Sequence, residues 1–184
     1  MDENIIMKII PGIYLSIGSA VLFLLAYLLF YKYLIQEKKC TAKTKGVVKR
    51  YSIGNRGGNA NIHLPIVCYE VEGKEYKVMG PEYSYYKVVT KMNPKANINT
   101  EAGYRETEKQ GLEIMQKRNA FVSFSTNVIA EMYPINTEID VYYNPQNPKL
   151  AYVLRYCNRK WAFWLTFCAG LITLSLDILI LVLL

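Results

Sequence analysis

The chain has 184 residues, 52% of them hydrophobic, with 22 Lys/Arg against 15 Asp/Glu. Its formal net charge of +7 is concentrated: residues 36–50 carry six Lys/Arg and one Glu, and residues 149–160 carry four Lys/Arg and no acid, whereas 51–148 hold ten Lys/Arg and eleven Asp/Glu. A basic excess confined to two short stretches is not the basic face of a nucleic-acid binder, and a single His with four Cys lacking any C-x-x-C pair excludes the usual zinc and dithiol frameworks.

After a short tail, 1–8, an apolar run occupies 9–35, and no charge falls between Lys8 and Lys32. About 20 apolar residues suffice to cross a bilayer as a helix. Pro11 suits a first helical turn, and Tyr27, Tyr31 and Tyr33 fit an interfacial aromatic belt. A cleaved signal peptide has a shorter apolar core and a small-residue cleavage site, neither of which is present. The run is therefore expected to be a retained transmembrane helix.

Residues 36–160 are expected to form one soluble, β-rich domain. Gly46-Val47-Val48 opens a strand directed towards Ile53. The stretch NRGGNAN, Asn55 to Asn61, is a hairpin connection rather than a phosphate loop, since no Lys-Ser/Thr and no strand–helix transition follow it. Pro65 to Val71 alternates, with Val67, Tyr69 and Val71 on one face. Glu72-Gly73-Lys74 turns the chain, and Tyr76 and Val78 return on the same apolar side. Residues 80–130 read as an insertion: Tyr83, Tyr85, Tyr86, Val88 and Val89 fit a strand, and one helix is expected over Thr100–Arg118, with Leu112, Met115 and Tyr104 on one side; Ala120 to Phe124 fits helix or strand. Ile139, Val141 and Tyr143 alternate inward. Asn144-Pro145-Gln146-Asn147-Pro148 forms a stiff turn of fixed φ and Asx bonds, and Leu150 to Leu154 is the last strand.

The second apolar run, 161–184, begins with Trp161 and Trp164 behind Arg159-Lys160, as a membrane interface would. It contains Asp177. A carboxyl group inside a span costs several kcal/mol unless protonated or paired, which makes it a functional candidate. With antiparallel helices and Trp161 level with Lys32, about sixteen residues at ~1.5 Å each put Asp177 about 24 Å across. At that depth the first span has Ser16, near Gly12, Gly18 and Ser19. Small residues permit close approach and a hydroxyl can bond the carboxyl, so the pair is expected to act as structural glue between helices or protomers, or as a recognition point for a membrane partner. The fold class is thus mainly β with membrane helices: a small β-barrel or sandwich with a helical insertion, flanked by two transmembrane α-helices.

Lys and Arg mark the cytoplasmic side of a span. They crowd the inner flanks of both runs, and Lys38, Lys39, Lys43, Arg155, Arg159 and Lys160 are expected to face lipid headgroups. This places 36–160 in the cytoplasm and both termini outside. Cys40 and Cys157, close to the spans, are read as plain thiols ahead of acylation sites, because no further lipidation signal accompanies them.

Gly46, the series Pro65-Ile66-Val67-x-Tyr69-x-Val71-x-Gly73-x-x-Tyr76, then Tyr133-Pro134 and Val141-Tyr142-Tyr143-Asn144-Pro145-x-Asn147-Pro148-x-x-Ala151 resemble a widespread family of small bacterial membrane proteins known only as a domain of unknown function. The resemblance covers roughly 40–155, the Y-N-P-x-N-P ending being its most specific part. It implies a helix, a small β domain and a further helix, with Gly73, Tyr76, Tyr143, Asn144, Pro145, Asn147 and Pro148 as fold signature, in a bacterial inner membrane. It implies no reaction. The chain departs from the family at Asn136, where a Gly is usual, and in the length of 80–130.

His63 lacks ligand spacing. Glu70, Glu72 and Glu75 surround a turn, where acids are ordinarily solvated, and no nucleophile elbow occurs. No catalytic, cofactor-binding or metal residues are expected. The expected function is a non-enzymatic, membrane-tethered interaction or regulatory module whose partners are membrane lipids and a protein or a second copy of itself. A membrane-bound immunity or stress-response protein is the alternative, and a membrane enzyme the third reading.

Overall fold

The structure, a computed structural model, describes residues 3–57, 60–92, 102–118 and 127–183. They form two compact units, one of long helices and one comprising Gln36–Cys157.

In the helical unit, α1 (Glu3–Leu25) runs through a π-helical turn (Ala26–Phe30) into α2 (Tyr31–Lys39), and α4 spans Lys160–Leu183. The first helix begins within the expected tail and extends past the apolar run. Lys38 and Lys39 occupy its last turn, where cations complement the helix dipole. The segments Gly12–Lys39 and Lys160–Ile180 are long and apolar enough to cross a membrane. Where α1 and α4 meet, the residues are small: Ser19, Ala26 and Ala162 are buried, and Phe23 lies against Gly170 and the Phe167 ring. Bulky side chains such as Ile17, Leu28, Leu165 and Ile172 point away, each more than half exposed. The hydroxyls of Thr166, Thr173 and Ser175 donate to carbonyls one turn back, Ala162, Ala169 and Leu171, which satisfies them without water.

In the second unit, β1 (Ala42–Gly57), β2 (Ala60–Val71), β3 (Lys74–Met79), β7 (Glu138–Asn144) and β8 (Asn147–Val153) form one antiparallel sheet in the order β3-β2-β1-β7-β8. Three consecutive strands followed by a fourth beside the first is a Greek key. The outer strands β3 and β8 approach each other, so the sheet is nearly closed. Its interior holds Val48, Val67, Tyr69, Ile139, Val141, Ala151 and Val153; Val67, Tyr69, Ile139 and Val141 are inward as alternation predicts, with Val71, Tyr76, Val78 and Tyr143 packed against them and partly buried. The β2–β3 hairpin turns on Glu72 and Gly73, with φ of 51° and 73°, the twist-matched two-residue turn for which glycine is favoured. Asn136 has φ 68°; asparagine tolerates this conformation, and its N–H donates to the Val48 carbonyl.

The second sheet corrects the expected helix. Thr100–Arg118 holds two strands among its described residues, β5 (Ala102–Glu106) and β6 (Leu112–Arg118), antiparallel to each other, and β6 runs parallel to β4 (Tyr86–Met92). Leu112 and Ile114 are fully buried with Ile62, Tyr83 and Ile129. Their spacing of two, not that of Leu112 and Met115, is the one the fold uses. The hairpin is fixed by Thr107, whose hydroxyl oxygen accepts from Gly111 N at 2.9 Å, and by Gln110 at φ 58°. A short helix, α3 (Val128–Met132), packs on β2. Ala120 to Phe124, left between helix and strand, lies outside the described residues.

Candidate functional site

Asp177 lies where its depth in the helix predicts. It is 3% exposed, and the Ser16 hydroxyl donates to its Oδ2. Ser19, equally buried, donates to the Ser16 carbonyl at 3.1 Å. The other carboxyl oxygen, Oδ1, is buried and has no partner among the described residues. Gly18 has open space beside it, whereas Gly12 and Ser19 are buried.

Of the signature residues, Tyr76, Tyr143 and Pro148 gather around Tyr69, and Gly73 lies exposed in the β2–β3 turn. Tyr69, from β2, stacks on Tyr76 with ring centroids 5.8 Å apart and lies 6.2 Å from Tyr143. Its hydroxyl donates to the Pro148 carbonyl. Asn144 is buried, and its Oδ1 accepts from Gln146 N at 3.0 Å, closing the β7–β8 turn around Pro145. Burial raises the Tyr69 hydroxyl to about 12.

The basic residues divide. Lys38 and Lys39 are exposed. Lys43 and Lys45 both pair with Asp140, at 2.8 and 2.6 Å; the Lys43 hydrogen bond leads in holding that carboxylate below its usual range. Arg155 is engaged within the β-rich unit. Its Nη1 is 2.9 Å from Glu106 Oε2, and its guanidinium lies 4.7 Å from the centre of the Tyr83 ring. Tyr83 donates to the other Glu106 oxygen at 2.8 Å. Burial opposes the charge on Arg155, but Glu106 and Tyr83 together more than offset it and hold the proton more tightly than usual. Burial likewise raises Tyr83 far above the phenol range. This cluster ties β5 to the segments around Tyr83 and Arg155. Proximity in sequence to a basic run hid it, because the partner Glu106 lies 49 positions away.

His63 Nδ1 is 2.8 Å from the Ser52 carbonyl, and the His63 backbone exchanges two hydrogen bonds with the Asn127 side chain, at 3.2 and 3.1 Å. It thus joins β1, β2 and the start of α3. Glu70, Glu72 and Glu75 are exposed. Cys40 and Cys157 are each 5% exposed; burial raises the Cys40 thiol to about 11. Among the described residues no group of three or more His, Cys, Asp or Glu is placed to hold a metal ion.

One hollow lies on the outer face of the barrel. Arg50, Tyr51, Ser52, Ile53, Gly54, Ile66 and Met79 line about 300 Å³. Comparison with protein-family models, curated proteins and solved structures gives no match.

Proposed function

We propose that the protein is a non-enzymatic interaction or regulatory module, held by two transmembrane helices in a bacterial inner membrane. One observation carries this reading. The side chains best suited to chemistry are engaged in joining elements: His63 with Ser52, Glu106 with Arg155 and Tyr83, Asp140 with Lys43 and Lys45. The helices, in contrast, direct large apolar residues outward, as lipid-facing helices do. The resemblance to bacterial membrane proteins in the residues around the Y-N-P-x-N-P turn agrees with this setting.

In this reading 36–160 lies in the cytoplasm with both termini outside, and Lys38 and Lys39 attract anionic headgroups, worth about 1 kcal/mol each near the surface. The Ser16–Asp177 pair is glue between the two helices, the hydroxyl of one donating to the buried carboxyl of the other. The partner is a protein, bound through the second sheet, where Tyr104 on the edge strand β5 is 47% exposed. Among the described residues β5 is paired on one side only, and a strand edge of that kind can pair with another chain.

A photo-crosslinking residue at Tyr104 tests this in intact cells. The expected result is a discrete adduct with one membrane protein or with a second copy of the chain, absent when the crosslinker replaces Glu75. No adduct from position 104, or a bound cofactor and turnover in the purified protein, contradicts it. Deleting the whole insertion is a poorer test, because Tyr83, Leu112 and Ile114 form a core.

A further inference from the structure

The hollow beside Arg50 has the construction of a ligand site. The pairing of β1 with β2 slips between Val48 and Arg50 and again between Tyr51 and Asn55. The second slip lifts Ser52, Ile53 and Gly54 out of the ladder as a bulge, a device that re-aims side chains. The bulge is fastened: Ser52 Oγ accepts from Leu64 N at 3.1 Å and donates to Gly54 O at 3.2 Å, and the Ser52 carbonyl meets His63 Nδ1 at 2.8 Å. Its effect is to hold Ile53 in solvent at 96% exposure. An isoleucine braced outward by three hydrogen bonds is not incidental surface.

Ile53 is one wall. The floor is Ile66 and Met79, a cross-strand pair facing opposite to the buried Val67 and Val78 side. Arg50, paired across the ladder with Ile66, stands at the rim. It is exposed, and among the described residues its side chain makes no ion pair or hydrogen bond. Three apolar side chains with one uncommitted guanidinium fit an apolar group bearing one anion. The floor is a sheet face, whose backbone is engaged in the β1–β2–β3 ladders. It therefore offers side-chain contact and a charge, not the main-chain pairing by which strands bind peptides.

We propose that this hollow binds an aliphatic carboxylate of medium chain length, the chain lying on Ile66 and Met79 against Ile53 and the carboxylate meeting Arg50. A volume of about 300 Å³ is at the lower end of ligand pockets and accommodates a chain of about eight carbons. This site is separate from the β5 edge and does not depend on the interaction reading.

The test is a titration of octanoate against the full chain in lipid nanodiscs, followed by saturation-transfer NMR with empty discs subtracted. The expected result is saturable binding with Kd on the order of 0.1–1 mM, the range open to a ligand of about ten heavy atoms. Arg50→Gln weakens octanoate at least fivefold but leaves the neutral analogue octanol unchanged, whereas Ile53→Asp weakens both. Both residues are exposed, so neither variant threatens the fold, and retained thermal stability verifies this. No saturable signal above empty discs overturns the proposal, and so does octanoate binding unaltered in both variants.

Discussion

Gly46 shows how far one methyl group can be followed through this barrel. It sits mid-β1, paired with Tyr69 on one side and Ile139 on the other. A Cβ built there lies 2.5 Å from Val67 Cγ1, 2.9 Å from Val141 Cγ2 and 3.0 Å from the Cys68 carbonyl oxygen. Carbon atoms pack best about 3.5–4.0 Å apart, so both valines must retreat by roughly 1 Å. They are β-branched, stiff at χ1, and fully buried, and the Cys68 oxygen belongs to a ladder strand. Gly46→Ala is thus an overpacking substitution, costing about 2–3 kcal/mol of a stability typically 5–15 kcal/mol. For a domain of this size the melting temperature should fall by about 10 °C. The discriminating variant is Gly46→Ala with Val67→Ala. Val67→Ala alone removes about two methyl groups, ~1.6 kcal/mol of transfer energy plus a cavity term. In the double variant the new methyl occupies part of that cavity, so the loss should be smaller than the sum of the single losses by at least about 1 kcal/mol. Thermal unfolding of the full chain in micelles, followed by near-ultraviolet circular dichroism of the tyrosines, measures both. Gly46→Ala as stable as the parent, or strict additivity, refutes the packing argument.

Asp177→Leu removes the acceptor for Ser16 and should loosen the helix pair by about 1 kcal/mol, whereas Asp177→Asn keeps an acceptor and should stay within about 0.5 kcal/mol; fluorescence transfer between labelled helix ends reads the difference. Arg155→Ala removes a cation from the Tyr83 ring and the ion partner of Glu106, both partly exposed, and should cost about 1–2 kcal/mol; Arg155→Lys should restore less than half, lacking the planar fork. Tyr69 titrates at about 12 when folded against 10 unfolded. Because the folded value is the higher, its stabilisation is complete below pH 10 and lost as the pH rises through about 12, a total of roughly 3 kcal/mol. Absorbance at 295 nm should show exposed tyrosines ionising first and Tyr69 only near 12 or on unfolding; ionisation of all tyrosines near pH 10 in folded protein contradicts this.

The parts legible in the sequence are those governed by local period or by length. Val67, Tyr69, Ile139 and Val141 alternate and point inward. The long apolar runs are helices, and a fixed rise per residue was enough to match Asp177 with Ser16. What escaped depends on partners distant in the chain. Leu112-Glu113-Ile114-Met115 satisfies a helical and an extended reading equally, and pairing with β5 on one side and β4 on the other makes it a strand. Arg155 resembles its basic neighbours until Glu106 is brought beside it. The bulge at Ser52–Gly54 leaves no mark in composition, because its fastenings are to Leu64 and His63 across the hairpin.

The direct test of the central claim, that two helices embed this chain in a bilayer, is extraction of cell membranes at alkaline pH followed by sedimentation. The chain is predicted to remain entirely with the membrane pellet and to enter solution only with detergent. Recovery in the alkaline supernatant, or a monodisperse protein in buffer without detergent, contradicts the account.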